Sequence, residues 1–441
     1  MKRLCAGLLI VLSVVSSSHA ETLTLEQNVN VALQKNPSVL ASQKRVNAAN
    51  ARLGQALGAF LPNIQLSGNY GQSYAQPSTV QFTTQTTLGA VTQTLTFGTD
   101  ATQTTKGWQA SLNQPLFVAA LFPGYKIAIN SLNLAKEDLR KTQLETAFNT
   151  IQAYFQVLAA EHLVALAKES KQMAESHLAQ VRTMYAAGAA AQTDLLRSDV
   201  QVANAEVTLT RATNQLGLVR DSFNNVLGRD LEEEVNLTEE GFGKTIDDIP
   251  GYKQLLQLAE ANRPDWRQFI LTKEISEENL RVAQAARLPT LMLSGKSGNQ
   301  IVEYPSYSSD VNSWSVTGAA SWTLFDGLGI QNRIREAAAN LEEQRASEAE
   351  VKNGIALEVR NACLNLQSLT EALGSTKKAV EASQENYAVA TRRYNSGVGT
   401  NSEVLDAQVT LTQARINDLQ ARFDLEIARA KINKVVGKGV L

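Results

Sequence analysis

From Leu195 the apolar positions recur every seven residues: Leu195, Val202, Leu209, Leu216 and Phe223 hold one position, and Ser198, Ala205, Ala212, Val219 and Val226 stand three residues on. An offset of 209 residues brings the same frame back as Val404, Leu411, Asp418, Leu425 and Ile432 beside Ala407, Ala414, Ala421, Ala428 and Val435. A heptad kept this long predicts supercoiled helices, and alanine at the second position lets their backbones approach closely. Upstream, Leu144, Phe148, Ile151, Phe155 and Leu158 form another helical stripe, and the run from Leu132 to Tyr185 contains no Pro or Gly. At ~1.5 Å per residue such a helix reaches ~80 Å, a length no compact globular domain requires.

Elsewhere the period falls to two. Ile64, Leu66, Gly68 and Tyr70 alternate with Asn63, Gln65, Ser67 and Asn69; Trp314, Val316, Gly318, Ala320, Trp322 and Leu324 alternate with Ser313, Ser315, Thr317, Ala319, Ser321 and Thr323. This predicts strands with one apolar and one small polar face. Segments around Trp108-Ala110-Leu112 and Leu291-Leu293 complete a set of four, placed at 60–72, 107–118, 288–297 and 313–325. Strands of ~9–11 residues suffice to cross a bilayer, with aromatic anchors at the rims, here Tyr70, Trp108, Trp314 and Trp322. A water-soluble sandwich with one buried face is the alternative for any single strand. Four strands cannot close a barrel and an open edge is not tolerated in lipid, so a membrane reading requires oligomerisation. Two copies give a filled eight-stranded barrel; three give twelve strands and a lumen. The Thr-rich, almost uncharged stretch from Ser73 to Lys106 reads as a long loop, with Val80-Gln81-Phe82 and Leu95-Thr96-Phe97 suggesting a hairpin extension; low-complexity disorder is the competing reading.

The two periods occur twice, because the chain is internally duplicated. An offset of 227 carries Asn36-Pro37 to Arg263-Pro264, Leu61-Pro62 to Leu288-Pro289 and Ser67-Gly68 to Ser294-Gly295; an offset of 209 carries Tyr185-Ala-Ala-Gly188 to Tyr394-Asn-Ser-Gly397 and Val226-Leu-Gly228 to Val435-Val-Gly437. The drop from 227 to 209 places an insertion in the first half's loop. The expected organisation is a secretory signal over 1–20, a first repeat over 21–228, a linker over 229–260 that is acidic and irregular from Leu231 to Pro250, a second repeat over 261–437 and a short end at 438–441.

The signal rests on Lys2 and Arg3, the apolar run Leu8–Val15 and the cleavage site Ser18-His19-Ala20. Its apolar run is too short to span a bilayer, and Cys5 precedes it, so lipidation is not expected. Without the signal, Cys363 is the remaining cysteine and no intrachain disulfide can form. The formal charge of -2 becomes -4 without Lys2 and Arg3, which suggests no nucleic-acid partner. Catalysis lacks a constellation: His162 and His177 stand isolated on helical runs, with no phosphate loop, metal-spaced Cys or His set, or nucleophile beside a base. No enzyme activity and no cofactor are expected. A structural or adhesive coiled-coil protein remains the rival class, explaining the heptads but not the strands.

Duplicated halves of helix, strand, loop, strand and two long helices, with Tyr394-Asn-Ser-Gly397-Val-Gly-Thr400-Asn-Ser-Glu403-Val-Leu-Asp406-Ala407 in the second and Tyr185-Ala-Ala-Gly188 and Thr193-Asp194 in the first, resemble the TolC-type outer-membrane channel-tunnel family over nearly the whole chain. The resemblance implies a mainly α fold with a membrane β-barrel part: a homotrimer whose twelve-stranded barrel continues into a helical periplasmic tunnel, with the segment Leu231–Pro250 at its equator. It implies a passive exit duct in the outer membrane of a Gram-negative bacterium, for multidrug efflux or type I secretion. Its partners would be outer-membrane lipid, a periplasmic adaptor and an inner-membrane RND or ABC transporter. Glu403 and Asp406 match acidic constriction rings; one helical turn apart, they share a face. Thr400 and Glu403 also form a capping-box pattern. Asp194 would hydrogen-bond Tyr394, with Thr193 beside it, as a latch at the tip. The position of a basic partner for that Asp is Gly399, a departure from the family pattern. The turns at Gly188 and Gly397 match adaptor-contact positions, and also suit a tight reversal.

Overall fold

A computed structural model describes residues 24–87, 89–97, 101–239 and 250–439; the expected signal lies outside them, as do residues 240–249 of the expected linker. The chain divides into a helical unit (1–45, 136–268 and 349–441) and a strand unit (46–135 and 269–348), and four helices contribute residues to both. Among the described residues no helix is long and apolar enough to cross a membrane.

Two short helices and two very long ones from each half build the helical unit. In the first half these are α1 (Leu25–Lys35), α2 (Pro37–Gly58), α3 (Leu121–Ala186) and α4 (Gln192–Leu227). In the second they are α5 (Tyr252–Asn262), α6 (Pro264–Ala285), α7 (Gly329–Asn395) and α8 (Asn401–Val435). At ~1.5 Å per residue, the 66 residues of α3 make a rod of about 100 Å. It begins upstream of the expected Leu132 because Pro123 falls within its first turn, where no intrahelical N–H is needed.

The heptad positions face inward. Val404, Leu411, Leu425 and Ile432 of α8 are buried together with Ala407, Ala414, Ala421, Ala428 and Val435. Around them lie two apolar clusters. One joins Val29 and Ala32 of α1 to Ile151, Tyr154 and Phe155 of α3, Phe223 and Leu227 of α4, and Phe423 of α8. The other joins Leu255 and Ala259 of α5 to Ile355 and Val359 of α7 and Leu425, Ile432 and Val435 of α8.

The duplication is structural down to single atoms. Gly228 (φ 70°) ends α4 against Lys35, and Gly437 (φ 70°) lies just past α8 against Asn262. A Cβ on either would come within 2.7 Å of backbone there, so only glycine fits both the left-handed angle and the gap. Asn36 Nδ2 donates to Val226 O (2.8 Å), and its counterpart Arg263 Nη1 donates to Val435 O (3.2 Å). The second repeat therefore begins at α5, inside the range expected to be linker. Leu255 and Ala259 of α5 seat on α7 and α8 as α1 seats on α3 and α4, and this tertiary packing moves residues 252–260 out of the expected linker and into the repeat.

In the strand unit, β1 (Asn63–Ala75), β4 (Ala101–Phe117), β5 (Thr290–Glu303) and β6 (Ser308–Ser321) form one antiparallel sheet in the order β1-β4-β5-β6. Between β1 and β4, the strands β2 (Ser78–Thr86) and β3 (Gly89–Phe97) pair as a separate hairpin, which accounts for the insertion in the first half. The strands extend beyond expectation at the ends that carry Tyr70 and Val311, where Thr, Ser and Gln supply no hydrophobic alternation and backbone pairing alone maintains the ladder. Conversely, 60–62, 288–289 and 322–325 fall outside the sheet.

Candidate functional site

Register sorts the sheet into two chemically distinct faces, since residues opposite one another in antiparallel pairs project from the same side. One face carries the rows Ile64–Leu112–Gly295–Val316 and Leu66–Ala110–Ser297–Trp314. The other carries Gln65–Ser111–Lys296–Ser315 and Ser67–Gln109–Gly298–Ser313. Ile64, Leu66, Trp314 and Val316 are all exposed, Trp314 to 80%, so none of the described residues covers this apolar face. It extends from the row of Leu291 and Ala320 to that of Gly68, Trp108 and Asn299, eight residues along β5, or ~27 Å at ~3.4 Å per residue. Tyr70, Trp108 and Trp314 lie in three successive rows at one end; Trp322 lies just past β6, its Nε1 donating to Arg287 O (2.9 Å). The row of Tyr70 also holds Lys106 and Asp310, and Lys106 pairs with Glu303 (2.5 Å), so charge appears where the apolar band stops.

The helical unit's candidate site lies at the reversals between α3 and α4 and between α7 and α8. Both are built alike. Gly188 (φ 75°) and Gly397 (φ 74°) adopt the left-handed conformation; Ala189 N–H reaches back to Met184 O (2.8 Å), and Val398 N–H to Arg393 O (3.1 Å). These six-to-one bonds close each helix end. Gly399 has its own reason: a Cβ there would stand 2.9 Å from Arg393 Cβ and from Tyr394 N. A basic side chain cannot occupy that position unless the turn shifts.

Val181, Ala390, Tyr394, Val404 and Ala407 form an apolar cluster behind the reversals. Asp194 lies in the first turn of α4, where a carboxylate suits the helix dipole, and exposed Thr193 precedes it. The implied bond between Asp194 and Tyr394 is not formed: Tyr394 Oη is buried with no hydrogen-bond partner. Burial first, and the charge of Asp194 second, raise the tyrosine's pKa. What binds the α4 end is Asn401. Its Nδ2 donates to Asp194 O (3.1 Å), its Oδ1 meets His177 Nε2 (2.7 Å), and Ser198 Oγ stands 3.5 Å away. Because Nδ2 is engaged with a carbonyl, Oδ1 acts as acceptor and His177 carries its proton on Nε2. Burial lowers the His177 pKa, opposed by the bond to Asn401. Arg197 Nη1 adds a bond to Ser402 Oγ (2.8 Å), and Gln408 Nε2 donates to Ser170 O (3.2 Å) in the buried seam.

Glu403 and Asp406 are exposed on α8, and the exposed stripe continues through Val409, Thr410, Gln413, Asn417 and Gln420 without further charge. Thr400 Oγ1 accepts from Glu403 N–H (3.3 Å), but the reciprocal half of the capping box is missing. The Glu403 carboxylate instead lies 3.8 Å from Arg393 Nε. Asn401, His177 and Gln408 had no functional signal in the sequence. Their mark is a polar side chain that falls on a buried helical face, visible only once it is known that α8 is covered on more than its heptad seam.

A sheet with a lipid-compatible face and a polar face, carried with a frame of duplicated long helices, is the architecture of outer-membrane ducts. The chain belongs to the outer membrane efflux protein family, whose model matches residues 28–229 and 255–438 and leaves out the acidic segment between the halves. It is 23% identical over 442 residues to outer membrane protein TolC of Salmonella enteritidis, covering 98% of this chain and 86% of that one. To the proteases secretion protein PrtF of Dickeya chrysanthemi it is 21% identical, covering 98% and 94%. Its fold matches the CmeC outer membrane channel of Campylobacter jejuni with a TM-score of 0.77 at 17% identity, covering 94% and 86%. The protein is thus an outer-membrane efflux duct, and a non-pore adhesive role is not favoured.

Proposed function

We propose that three copies of the chain close a twelve-stranded barrel and a helical tunnel, forming the passive outer segment of a tripartite exporter. The carrying observation is the open four-stranded sheet: β1 and β6 are its edges, its apolar face is bare, and no sheet can leave its edges unpaired in lipid. Edge β1 of one copy pairs with β6 of the next. The exposed apolar residues Leu196, Val200 and Val207 of α4 and Leu357 and Leu364 of α7 supply the matching seam between helices. Tyr70, Trp108, Trp314 and Trp322 anchor the barrel at the membrane interfaces.

At the tip, Glu403 and Asp406 from three copies form two carboxylate rings, which bind multivalent cations and narrow the entrance. Asn401, bonded to the main-chain oxygen of Asp194, and the buried ring of Tyr394 belong to the contacts that hold it shut. The turns at Gly188 and Gly397 receive a periplasmic adaptor, and an inner-membrane transporter of RND or ABC type supplies the energy, so the duct itself catalyses nothing. The domain limits follow the repeats, with an equatorial segment between Arg229 and Gly251.

Single-channel conductance of the purified trimer in planar bilayers tests this reading. A small conductance blocked by millimolar trivalent cation, with block lost in Glu403→Ala/Asp406→Ala, is expected. Folded trimers that form no channel defeat it.

A further inference from the structure

We propose that Lys296 sets an anion preference inside the barrel, so that the duct carries two selectivity elements of opposite sign; this rests on the trimeric pore reading above. The polar face of the sheet is otherwise free of charge. Along β1 it presents Asn63, Gln65, Ser67 and Asn69, along β4 Asn113, Ser111, Gln109 and Gly107, and along β6 Thr317, Ser315 and Ser313. Among the described residues of these four strands, Lys296 is the one ionisable side chain on that face.

Its surroundings leave the charge uncompensated. Directly opposite stand Ser111 and Ser315, and the diagonal positions hold Gln109, Asn113, Ser313 and Thr317, so no carboxylate lies within cross-strand reach. The side chain is exposed. Its position along β5 falls between Gly295 and Ser297, whose rows lie within the apolar band of the opposite face. A lysine at that depth facing lipid would be strongly disfavoured, so its face is the watered one. Threefold repetition then places three ammonium groups in one ring, in a wall of amides and hydroxyls that offers anions no repulsion. Rings of fixed charge are a general device of pore selectivity. The solutes favoured are small anions and cargo bearing carboxylate or phosphate groups, whereas the ring formed by Glu403 and Asp406 favours cations.

The test is the reversal potential of single channels in a KCl gradient, measured in the Glu403→Ala/Asp406→Ala background so that the acidic tip does not dominate. Lys296→Gln should lower the chloride-to-potassium permeability ratio several-fold, Lys296→Glu should reverse the preference, and Lys296→Arg should leave it unchanged. The differences should shrink in 1 M salt, where the screening length falls to ~3 Å. Identical reversal potentials for Gln, Glu and Lys at position 296, in channels of normal number and conductance, overturn the proposal while leaving the pore reading intact. Absence of channels in the parent protein removes both.

Discussion

Helices α4 and α8 are copies of one another, yet they live in different surroundings. Their frames align residue for residue at an offset of 209, with Ala205 against Ala414, Ala212 against Ala421 and Phe223 against Ile432. In α8 both heptad columns are buried, with Leu411 only 1% exposed. In α4 one column is buried at Ser198, Ala205 and Ala212 and half-buried at Val219 and Val226, the other is half-buried from Leu195 to Leu216 and buried only at Phe223, and Leu196, Val200, Val207 and Leu218 point outward, Val207 to 49%. α8 buries the polar groups Asn401, Gln408 and Asp418 and exposes the large apolar Val409, whereas α4 buries Ser198 and Asn224 and exposes four such residues. One copy of a shared pattern is packed on both of its heptad columns, and the other leaves an apolar face bare, which in the proposed trimer becomes the seam.

The largest effects should come from mutations that separate those two roles. Val200→Asp with Val207→Asp should abolish the trimer while sparing helicity, read by light scattering and circular dichroism in detergent; trimers of normal size would mean that this face of α4 is not the seam. Leu411→Ala should act oppositely, lowering stability by ~2–5 kcal/mol through the cavity it leaves in the core. Next come the paired glycines. Gly437→Ala forces a left-handed angle on a residue with a Cβ, costing ~1–2 kcal/mol, and adds a contact of 2.7 Å with Asn262 backbone. Gly228→Ala should match it. Gly354, with open space around it, should tolerate alanine. Thermal midpoints of the three variants decide whether the two repeats are anchored alike.

Periodicity made the long helices and the four-strand set legible, because a period of seven or of two is imposed by geometry that every copy must obey. The faces of the sheet were legible too, since alternation survives in Ile64–Tyr70 and Trp314–Ala320. What escaped was decided by tertiary contact. Helix α5 hid in an acidic range because only its seat on α7 and α8 defines it. The distal halves of β4 and β5 hid because Thr and Gln fill both faces of β4 there, and in β5 Ile301 and Val302 stand side by side on opposite faces, so no alternation is left. At the tip, the sequence pointed to Asp194 and Tyr394, but the bond is carried by Asn401 on the main-chain oxygen of Asp194, and backbone partners leave no trace in side-chain motifs.

The smallest expected effect concerns His177, which joins α3 to the start of α8 through Asn401. Its ring packs on Tyr394 with centroids 5.4 Å apart. The groove beside it is lined by Glu169, Gln180, Tyr387 and Thr391, while α4 contributes Ser198 and the Asp194 carbonyl on the other side of Asn401. Glu169 is engaged by Arg415 at 2.7 Å, so the imidazole faces no unengaged carboxylate in that groove. Burial lowers the His177 pKa, so the tip with the ring buried binds fewer protons than one in which it is exposed. Stability then rises with pH: it is fully present above the ordinary histidine pKa of ~6.5 and declines as pH falls through that value toward the depressed one. Hydrogen exchange of amides 178–198 should therefore quicken between pH 7 and pH 5, after correction for the intrinsic rate. In His177→Gln, whose amide can still donate to Asn401 but cannot titrate, the corrected rates should stay level. An equal acceleration in both proteins would assign the pH response to the carboxylates instead, and the α4 and α8 starts would then be coupled by charge rather than by the buried amide.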